Sequence, residues 1–377
     1  MSTQTGPGIN GPAPPIAVIG AGIGGLTLAR LLELKNIQVA VYESKSQERF
    51  AANHGLWLGA QTCQDLLSHL QVPFEDFRKK TAVTAELSDL PKDAPISGIR
   101  VNKRRLLEYL LAGIDVKWEH QLKEVQASDS GLKCTFKEEK SIQVTTLIGA
   151  DGVHSAVRSA VLPNIKPKVL PYIAINGQRR TSLEEYQKEH SAEEYTDSVS
   201  HRNDRNGAQL SAGLNDIKRG TAYHFWTYSR PAKEGEDPLF KPDRSTAEAN
   251  AIPAEFFDEV EASSFSDQVN REKTKEDRLL SWLLRSIELQ EGDLERLPKG
   301  VVVIGDAAHG TPILGGDGAE QAIQDAIALS KVIGEASDKE MDVKLREFSK
   351  AALLRWKESV KDSISRLEQM HRAPVQL

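Results

Sequence analysis

The stretch that decides the fold is residues 16–43, which read IAVIGAGIGGLTLARLLELKNIQVAVYE. It contains a short apolar strand, a glycine-rich turn, an apolar helical segment and a second strand, and it ends on an acidic residue. This order is typical of a βαβ unit that binds the pyrophosphate of a dinucleotide at the N-terminus of its helix. Because the strand, the helix and the acid all stand in the expected places, the match is more specific than an isolated glycine motif.

Four residues of this unit are candidates for cofactor binding. Gly20 allows the sharp turn off the first strand, Gly22 has no Cβ and lets a pyrophosphate approach the backbone, and Gly25 lets the helix pack closely on the strand. Glu43 stands 23 residues after Gly20, where a carboxylate can accept hydrogen bonds from ribose hydroxyls. The motif by itself does not distinguish FAD from NAD.

Composition excludes several classes of protein. Of the 377 residues, 39% are apolar and 27% are charged, and the formal net charge is −6. These values are typical of a soluble globular enzyme with two domains or one elaborated domain, and they give no reason to expect a nucleic-acid partner. Cys63 and Cys134 form no C-x-x-C motif, so we expect no metal site and reduced thiols in the cytoplasm.

We expect neither a targeting segment nor a membrane anchor in this sequence. Residues 1–14 are rich in Gly, Pro, Ser and Thr and lack the basic and apolar regions of a secretory signal. We predict that they form a disordered leader. No apolar run reaches the ~18 residues that a membrane-spanning helix requires.

Periodicity predicts further elements along the chain. Helices are expected over residues 24–35, 61–70, 101–112, 251–260, 277–287 and 318–333, the last ending at Gly334, and over a C-terminal segment that includes Trp356. Strands are expected over residues 116–125, 132–136, 142–145, 172–176, 208–213, 222–228 and 300–306, and an apolar turn over residues 56–58. In residues 223–228 aromatic side chains alternate, so that one face would be core and the other could line a pocket.

Two more motifs accompany the glycine turn. Residues 150–158 read ADGVHSAVR, and residues 305–309 read GDAAH, followed by Pro312 and by Gly316-Asp317-Gly318. In this order and spacing the three motifs closely resemble those of the class A flavoprotein monooxygenases, the p-hydroxybenzoate hydroxylase superfamily. The compact length and motif style are similar to those of the tetracycline-inactivating and small fungal-type aromatic hydroxylases. Between residues 163 and 289 the resemblance rests only on size and strand-rich texture.

The resemblance implies an α/β fold: a Rossmann-like FAD-binding domain with a parallel sheet, a smaller sheet-containing substrate domain and a C-terminal helix. The FAD-binding domain would be discontinuous and consist of residues 15–80, 100–165 and 290–340. The substrate domain would consist of residues 81–99 and 166–289, and the C-terminal helix would occupy residues 341–377.

The resemblance also implies cofactor contacts at the ADP half of FAD. These would come from Gly20, Gly22, Gly25 and Glu43. Asp151, with Gly152, belongs to a motif that in the family touches both FAD and the nicotinamide donor. Lys103 stands where the family usually has an arginine, and it could reach phosphate or ribityl oxygens as a point charge, without the bidentate fork of a guanidinium.

At the flavin half, Asp306 would bond the ribityl chain and Pro312 would lie beside the isoalloxazine ring near its reacting carbon. The turn from Gly316 to Gly318 would open a helix whose N–H groups face flavin N1 and O2, where reduction places negative charge. Pro312 and His309 are the catalytic candidates. His309 also has a simpler interpretation, as a structural histidine with satisfied hydrogen bonds.

Two residues depart from the family pattern. Asp317 replaces the usual glutamine of a Gly-Gln-Gly turn, and Glu320 replaces the usual asparagine. We expect both carboxylates to point away from the flavin or to bond backbone donors. Ser44 and Trp57 also differ from the tetracycline-inactivating relatives, so no substrate is transferred from them.

Several polar residues have both a functional and a structural interpretation. Arg158 either supports the FAD phosphates or caps a helix, and the run Lys103-Arg104-Arg105 is by default a solvated helical turn. Asn53 and His54 either approach the flavin edge or belong to an ordinary loop. His154 is expected at the surface.

The family reaction is the insertion of one oxygen atom from O2 into an aromatic or polycyclic small molecule. NAD(P)H would reduce the flavin, and a C4a-hydroperoxide would deliver the oxygen. Alternatives are an epoxidase or Baeyer–Villiger-type oxygenase on the same fold, a flavin dehydrogenase, reductase or halogenase, and an FAD protein that sequesters a ligand. A halogenase would carry a Trp-x-Trp-x-Ile-Pro signature, which this chain lacks. The expected protein is a cytoplasmic monomer or homodimer with no metal, nucleic acid or membrane anchor.

Overall fold

The computed structural model describes residues 15–50, 52–86, 98–129, 131–189, 199–204, 206–243 and 252–372. The predicted leader, residues 1–14, lies outside the described residues. So do residues 87–97 of the predicted substrate domain, residue 251 of a predicted helix and residues 373–377 of the C-terminal segment.

The described residues alternate between strands and helices. The strands are β1 (Ile16–Ile19), β2 (Ala40–Tyr42), β3 (Gly55–Gly59), β4 (Gly98–Asn102), β5 (Val116–Lys117), β6 (Leu122–Ser128), β7 (Gly131–Phe136), β8 (Ser141–Val144), β9 (Thr146–Gly149), β10 (Lys168–Ser182), β11 (Val199–Asn203), β12 (Gln209–Lys218), β13 (Thr221–Pro231), β14 (Arg278–Ser286) and β15 (Val301–Val303). The helices are α1 (Ile23–Leu34), α2 (Ala60–Leu70), α3 (Phe74–Thr81), α4 (Lys103–Leu111), α5 (Ala156–Val161), α6 (Leu183–Glu189), α7 (Ala254–Glu261), α8 (Glu291–Glu295), α9 (Asp306–His309), α10 (Gly318–Glu335) and α11 (Met341–Met370), with a 3-10 turn at Ile313–Gly315.

A parallel sheet forms the first half of the fold, with strand order β15-β9-β1-β2-β5. Its central strands are buried throughout, as expected for parallel strands covered on both faces. The register pairs Ile19 of β1 with Gly149 of β9, and Gly149 with Val303 of β15. The loops that follow these three strands therefore leave the sheet at one edge, next to each other. Ligands of open α/β sheets bind at this edge.

Helix α1 packs closely on the parallel sheet because Gly25 has no side chain. A Cβ at Gly25 would lie 2.0 Å from the carbonyl oxygen of Gly20, which leaves no space for any other residue. The helix ends before Asn36, which adopts a left-handed conformation with φ +58° and stops the helix as a C′ residue does.

An antiparallel sheet forms the second half, with strand order β11-β12-β13-β10-β14. One face packs against α7 and the loops that follow it in an apolar core. That core contains Ile173, Ile175, Leu210, Trp226, Tyr228, Phe256 and Phe265. The other face turns toward the β3–β4 hairpin: Arg100 of β4 donates to the carbonyl oxygen of Leu214 at 2.9 Å. A smaller antiparallel sheet, β6-β7-β8, completes the structure.

Several predicted elements are wrong or displaced. The helix predicted over residues 277–287 is wrong: residues 278–286 form strand β14, because their leucines are shared between the two faces of the antiparallel sheet. Residues 56–58 belong to strand β3 instead of a turn. Gly334 lies inside α10, which continues to Glu335.

Two other predicted elements are each divided in the structure. Residues 98–102 form β4, and the helix expected from residue 101 begins at Lys103 because Asn102 caps it by accepting from the Arg105 amide. The single strand expected over residues 116–125 is two short strands, β5 and β6.

The α/β class, the parallel sheet and the C-terminal helix are confirmed. Both cysteines are buried and free, and burial raises the pKa of each thiol to about 11. Within the described ranges, no helix is long and apolar enough to cross a membrane, and no group of three or more His, Cys, Asp or Glu side chains is arranged to hold a metal ion.

Candidate functional site

The three sequence motifs meet at the carboxyl edge of the parallel sheet. Gly20 has φ +106°, and a Cβ there would lie 2.5 Å from the carbonyl oxygen of Ala150. The glycine turn after β1 thus packs directly on the turn after β9. Beside them, the β15–α9 junction places Gly305, with φ +58°, before Asp306.

Gly22 has a different environment from its neighbours Gly20 and Gly25. A Cβ at Gly22 would meet only the Ala150 carbonyl oxygen, at 3.8 Å, and its φ of −79° suits any residue. Nothing among the described residues requires glycine here. Gly22 is also the N-cap of α1, with no side-chain cap and no acidic residue in the first turn. The helix therefore presents free N–H groups to open space, which fits a bound pyrophosphate.

Glu43 closes one side of this turn. Its Oε2 accepts a hydrogen bond from the Ala21 amide at 2.9 Å, and its Oε1 accepts from the Lys45 amide at 2.9 Å and the Ser44 hydroxyl at 3.0 Å. These bonds fix the half-buried carboxylate at the edge of the glycine turn, the place expected for a ribose contact.

Asp306 begins α9 as a half-buried carboxylate that has no hydrogen-bond partner among the described residues. Burial raises the pKa of Asp306, and the nearby charges of His309, Lys103 and Arg158 oppose that rise. A Cβ at Gly318 would lie 3.3 Å from Asp306 Oδ1, so the first turn of α10 adjoins this carboxylate. An acceptor without a partner beside a helix N-terminus fits a polar ligand chain.

The β3–β4 hairpin brings basic residues to the same edge. The Lys103 amide donates to the carbonyl oxygen of His54 at 2.9 Å. Burial lowers the pKa of Lys103, while the charge of Asp306 opposes the change. Burial, together with the charges of Lys103 and Arg100, lowers the pKa of His54 to about 3, so the imidazole is neutral at pH 7. Lys103 is therefore not a solvated residue of a helical turn.

Asp151 serves the structure of its own motif. Its Oδ1 accepts from the Ser155 hydroxyl at 2.5 Å, and its Oδ2 accepts from the amides of Ala156 at 2.6 Å and Val157 at 3.2 Å. Burial raises the pKa of Asp151, and these hydrogen bonds oppose the rise. The side chain is committed to the N-terminus of α5. Only the backbone here, including Gly152 with φ +79° and no atom near its Cβ position, faces open space.

Arg158 lies inside the fold, between the second and third motifs. It is fully buried, and its guanidinium donates to the carbonyl oxygens of Ala307 at 2.7 Å and Val153 at 2.6 Å. It joins the second motif to the third. His154 is exposed, as expected.

The catalytic assignment of His309 is corrected by the structure. His309 is buried, its Nε2 lies 2.7 Å from Asp325 Oδ2, and its ring stacks on Trp356 with centroids 5.2 Å apart. This enclosure favours a structural role for His309 through its bond to Asp325, but not all of its hydrogen bonds are satisfied, because Nδ1 has no partner among the described residues. Sequence reasoning missed Asp325. The available signal was a single acid within the apolar face of α10.

Pro312 is buried and precedes the 3-10 turn, where its carbonyl oxygen accepts from the Gly315 amide at 2.7 Å. Gly316 follows with φ +104°, and no atom of the described residues lies within 4 Å of its Cβ position. The segment from Pro312 to Gly318 therefore ends in an open glycine turn at the N-terminus of α10.

Both residues that depart from the family pattern have a partner within the chain. Asp317 pairs with Arg366 of α11, which also donates to the carbonyl oxygen of Gly315 at 2.8 Å. Glu320 Oε1 accepts from the Gly59 amide at 2.6 Å. Glu320 thus bonds a backbone donor, as predicted, whereas the partner of Asp317 is the side chain of Arg366.

Comparison with known proteins agrees with this arrangement. The family model described as an NAD(P)-binding Rossmann-like domain matches residues 18–48. The curated FAD-dependent monooxygenase aptC of Emericella nidulans is 29% identical, and the alignment covers 95% of each chain. The chain is an FAD-dependent monooxygenase.

Solved structures share the fold of this monooxygenase. HpxO of Klebsiella pneumoniae, complexed with FAD and uric acid, superposes with a TM-score of 0.68 and 21% identity, covering 94% of this enzyme and 88% of HpxO. The 2,6-dihydroxypyridine-3-hydroxylase of Arthrobacter nicotinovorans superposes with a TM-score of 0.73 and 18% identity, covering 96% of the monooxygenase and 94% of that chain.

Proposed function

We propose that the enzyme uses NAD(P)H and O2 to insert one oxygen atom into an aromatic or polycyclic small molecule. Curated relatives that match almost the full length are named FAD-dependent monooxygenases. One structural neighbour is complexed with uric acid and another is named a 2,6-dihydroxypyridine-3-hydroxylase, and both small molecules are planar ring compounds. FAD, when bound, supplies the redox and oxygen chemistry, and the residues of the chain bind it, orient it and exclude water.

The observation that carries the proposal is the open position at Gly22. Gly20 and Gly25 are required by the packing of the chain, whereas Gly22 is not. A glycine that neither packing nor backbone conformation demands, at an uncapped helix N-terminus, is explained by a pyrophosphate that approaches the backbone. Glu43, held at the rim of the same turn, would accept hydrogen bonds from the ribose.

The remaining cofactor contacts would come from the segments around Asp306, Lys103 and the N-terminus of α10. Asp306, which lacks a partner among the described residues, would bond the ribityl chain, and Lys103 would supply a positive charge close by. Gly316 and Gly318 would present the N-terminus of α10 to the flavin ring, with Pro312 at its edge. Asp151 would belong to this site through the backbone of its turn, which faces open space, and not through its side chain.

The division into domains belongs to the same proposal. All strands of the parallel sheet fall within residues 15–80, 100–165 and 290–340, and all strands of the five-stranded antiparallel sheet fall within residues 166–289. We propose that the first group binds FAD and that the second binds the substrate.

The proposal is tested by following NADPH and O2 consumption of the FAD-loaded enzyme with a panel of phenols and polycyclic aromatics. We expect at least one compound to stimulate NADPH oxidation and to yield a product heavier by one oxygen atom. A Gly22→Ala variant serves as the control, because it should lose FAD while keeping its fold. An enzyme that binds FAD but shows no stimulated oxidation and no oxygenated product with any compound would contradict the proposed reaction.

A further inference from the structure

The face of the antiparallel sheet that turns toward the candidate site carries a row of buried polar side chains. We call Asn176, Thr227 and Ser211 the polar row. They stand directly opposite one another on β10, β13 and β12, and each is almost fully buried. Their sequence neighbours Ile175 and Trp226 belong to the apolar core of the opposite face, because side chains alternate along a strand.

Asn176 has one amide atom without a partner. Its Nδ2 donates to the carbonyl oxygen of Trp226 at 3.1 Å and to Thr227 Oγ1 at 2.9 Å. A backbone carbonyl only accepts, so the orientation of the amide is fixed. The Oδ1 atom therefore points away from Trp226. It has no hydrogen bond among the described residues, although the residue is only 2% exposed.

Apolar side chains flank the polar row on the same face. Phe225 of β13 lies on one side, with the Arg100 guanidinium 5.5 Å from its ring centroid. Leu280 of β14 stands opposite Asn176, and Trp282 follows two residues along the strand. All three apolar side chains are partly exposed.

The face of the sheet that carries the polar row extends to the Pro312 segment of the candidate cofactor site. Trp282 packs in an apolar cluster with Leu314 of the 3-10 turn, two residues after Pro312. The polar row and its apolar neighbours thus lie between the β3–β4 hairpin, at the Phe225 end, and the Pro312 segment, at the Trp282 end.

We propose that Asn176 is a specificity-determining residue whose Oδ1 accepts a hydrogen bond from a hydroxyl or N–H group of a planar aromatic substrate. The inference rests on the proposed function and specifies the substrate class. A buried acceptor without a partner is rare in folded proteins, and binding pockets combine apolar walls with a few polar groups that fix orientation. Because the oxygen is covered in the free chain, Leu280 or a neighbour has to move when the ligand binds.

The test uses the FAD-loaded enzyme and two ligands of similar size, 2-naphthol and 2-fluoronaphthalene. Only the naphthol carries a hydrogen-bond donor. Binding is measured as the change in flavin absorbance, without NADPH and therefore without turnover. We expect the wild-type enzyme to bind 2-naphthol about tenfold more tightly, the effect of one neutral hydrogen bond in a site built for it.

The Asn176→Ala variant should bring the ratio of the two dissociation constants close to one. A Ser281→Ala variant is the matched control, since Ser281 lies on β14 opposite Ile175 and thus on the other face of the sheet. It should keep the wild-type ratio. Comparing ratios between variants cancels the difference in hydrophobicity between the ligands.

The outcomes separate this inference from the proposed function. A wild-type ratio near one, or an unchanged ratio in Asn176→Ala, overturns the role of Asn176 even when the enzyme oxygenates aromatics. If Asn176→Ala fails to fold, the wild-type ratio alone decides. Failure of the proposed function is seen independently, as absence of stimulated NADPH oxidation.

Discussion

His309 and Asp325 are joined by a 2.7 Å hydrogen bond between side chains that are 1% and 0% exposed. Asp325 also accepts from the Gly305 amide at 2.8 Å and from Trp356 Nε1 at 2.8 Å. Burial raises the pKa of Asp325, but His309 and the other donors outweigh it and hold the pKa below its usual value. This buried carboxylate therefore fixes the turn that carries Asp306.

Asp325→Asn should weaken FAD binding although Asp325 does not touch the cofactor site. The change removes the charge and one acceptor from a fully buried cluster, which typically costs about 3–5 kcal/mol when the partners stay in place. We expect a lower melting temperature and a dissociation constant for FAD at least about tenfold higher, because the Gly305 turn loses its anchor. Thermal unfolding and flavin fluorescence titration measure the two effects.

Asp342→Asn is the matched control for that variant. Asp342 accepts from the amide of Gly300, just before β15, at 2.8 Å, whereas Asp325 accepts from Gly305 just after the strand. The control should lower the melting temperature slightly and leave FAD affinity unchanged. Equal effects of the two variants on FAD affinity would refute the positioning role of Asp325.

Gly22→Ala should lower the affinity for FAD without lowering stability, whereas Gly25→Ala should lower stability. The new methyl group at Gly22 has room in the chain, whereas at Gly25 it would lie 2.0 Å from the Gly20 carbonyl oxygen. We expect the first variant to keep its melting temperature and lose at least about tenfold in FAD affinity. The second should be strongly destabilised. Measurement of both quantities in both variants checks the pair. A Gly22→Ala variant with wild-type affinity would show that no pyrophosphate lies at this turn.

Asp306→Ala should separate cofactor binding from stability. The carboxylate has no hydrogen bond to lose among the described residues, and burial disfavours its charged form. The FAD-free variant should therefore unfold within about 2 °C of the FAD-free wild type. FAD affinity should fall by about 10- to 100-fold, as for a hydrogen bond to a charged group. Wild-type flavin content in the purified variant would contradict the ribityl contact.

His54 should make the folded protein sensitive to acid. Its pKa is about 3 in the fold, against 6.5 for an ordinary histidine. Between these values the unfolded chain binds a proton that the folded chain does not, so this contribution to stability is complete above pH 6.5 and is lost as the pH falls. The free energy of unfolding should fall by up to about 1.4 kcal/mol per pH unit from this one group.

His54→Gln removes that contribution while keeping a polar side chain. Its melting temperature should therefore fall less than that of the wild type between pH 7 and pH 5. The measurement is the difference between the two profiles, because other groups titrate equally in both proteins. Parallel profiles would show that His54 takes up its proton in the fold as easily as in the unfolded chain.

The sequence was sufficient to predict the residues of the site whose role depends on backbone geometry. Gly20 and Gly25 were predicted from the motif, and each is confined by a neighbouring carbonyl oxygen in the structure. A backbone donor was predicted for the carboxylates of Asp317 and Glu320, and Glu320 has one in the Gly59 amide, but the pairing of Asp317 with Arg366 was not predicted. Both partners depend on packing between segments distant in sequence.

Features that depend on contacts between distant segments could not be predicted from the local sequence pattern. The leucine pairs of residues 277–287 suit a helix as well as a strand with both faces covered, and only the neighbouring strands decide. Asn215 lies at an irregularity in β12 and accepts from the Gly55 amide at 2.8 Å, a contact between residues 160 positions apart. The free oxygen of Asn176 follows from the orientation of its amide, which no sequence motif encodes.

Three separate segments of the chain are expected to form one flavin site at the carboxyl edge of the parallel sheet. The most direct measurement is the visible absorption spectrum of the purified protein, before and after addition of FAD and removal of the unbound excess. We predict retained flavin absorbance bands in the wild-type protein and their loss in Gly22→Ala. A protein that stays colourless after incubation with FAD would contradict the account.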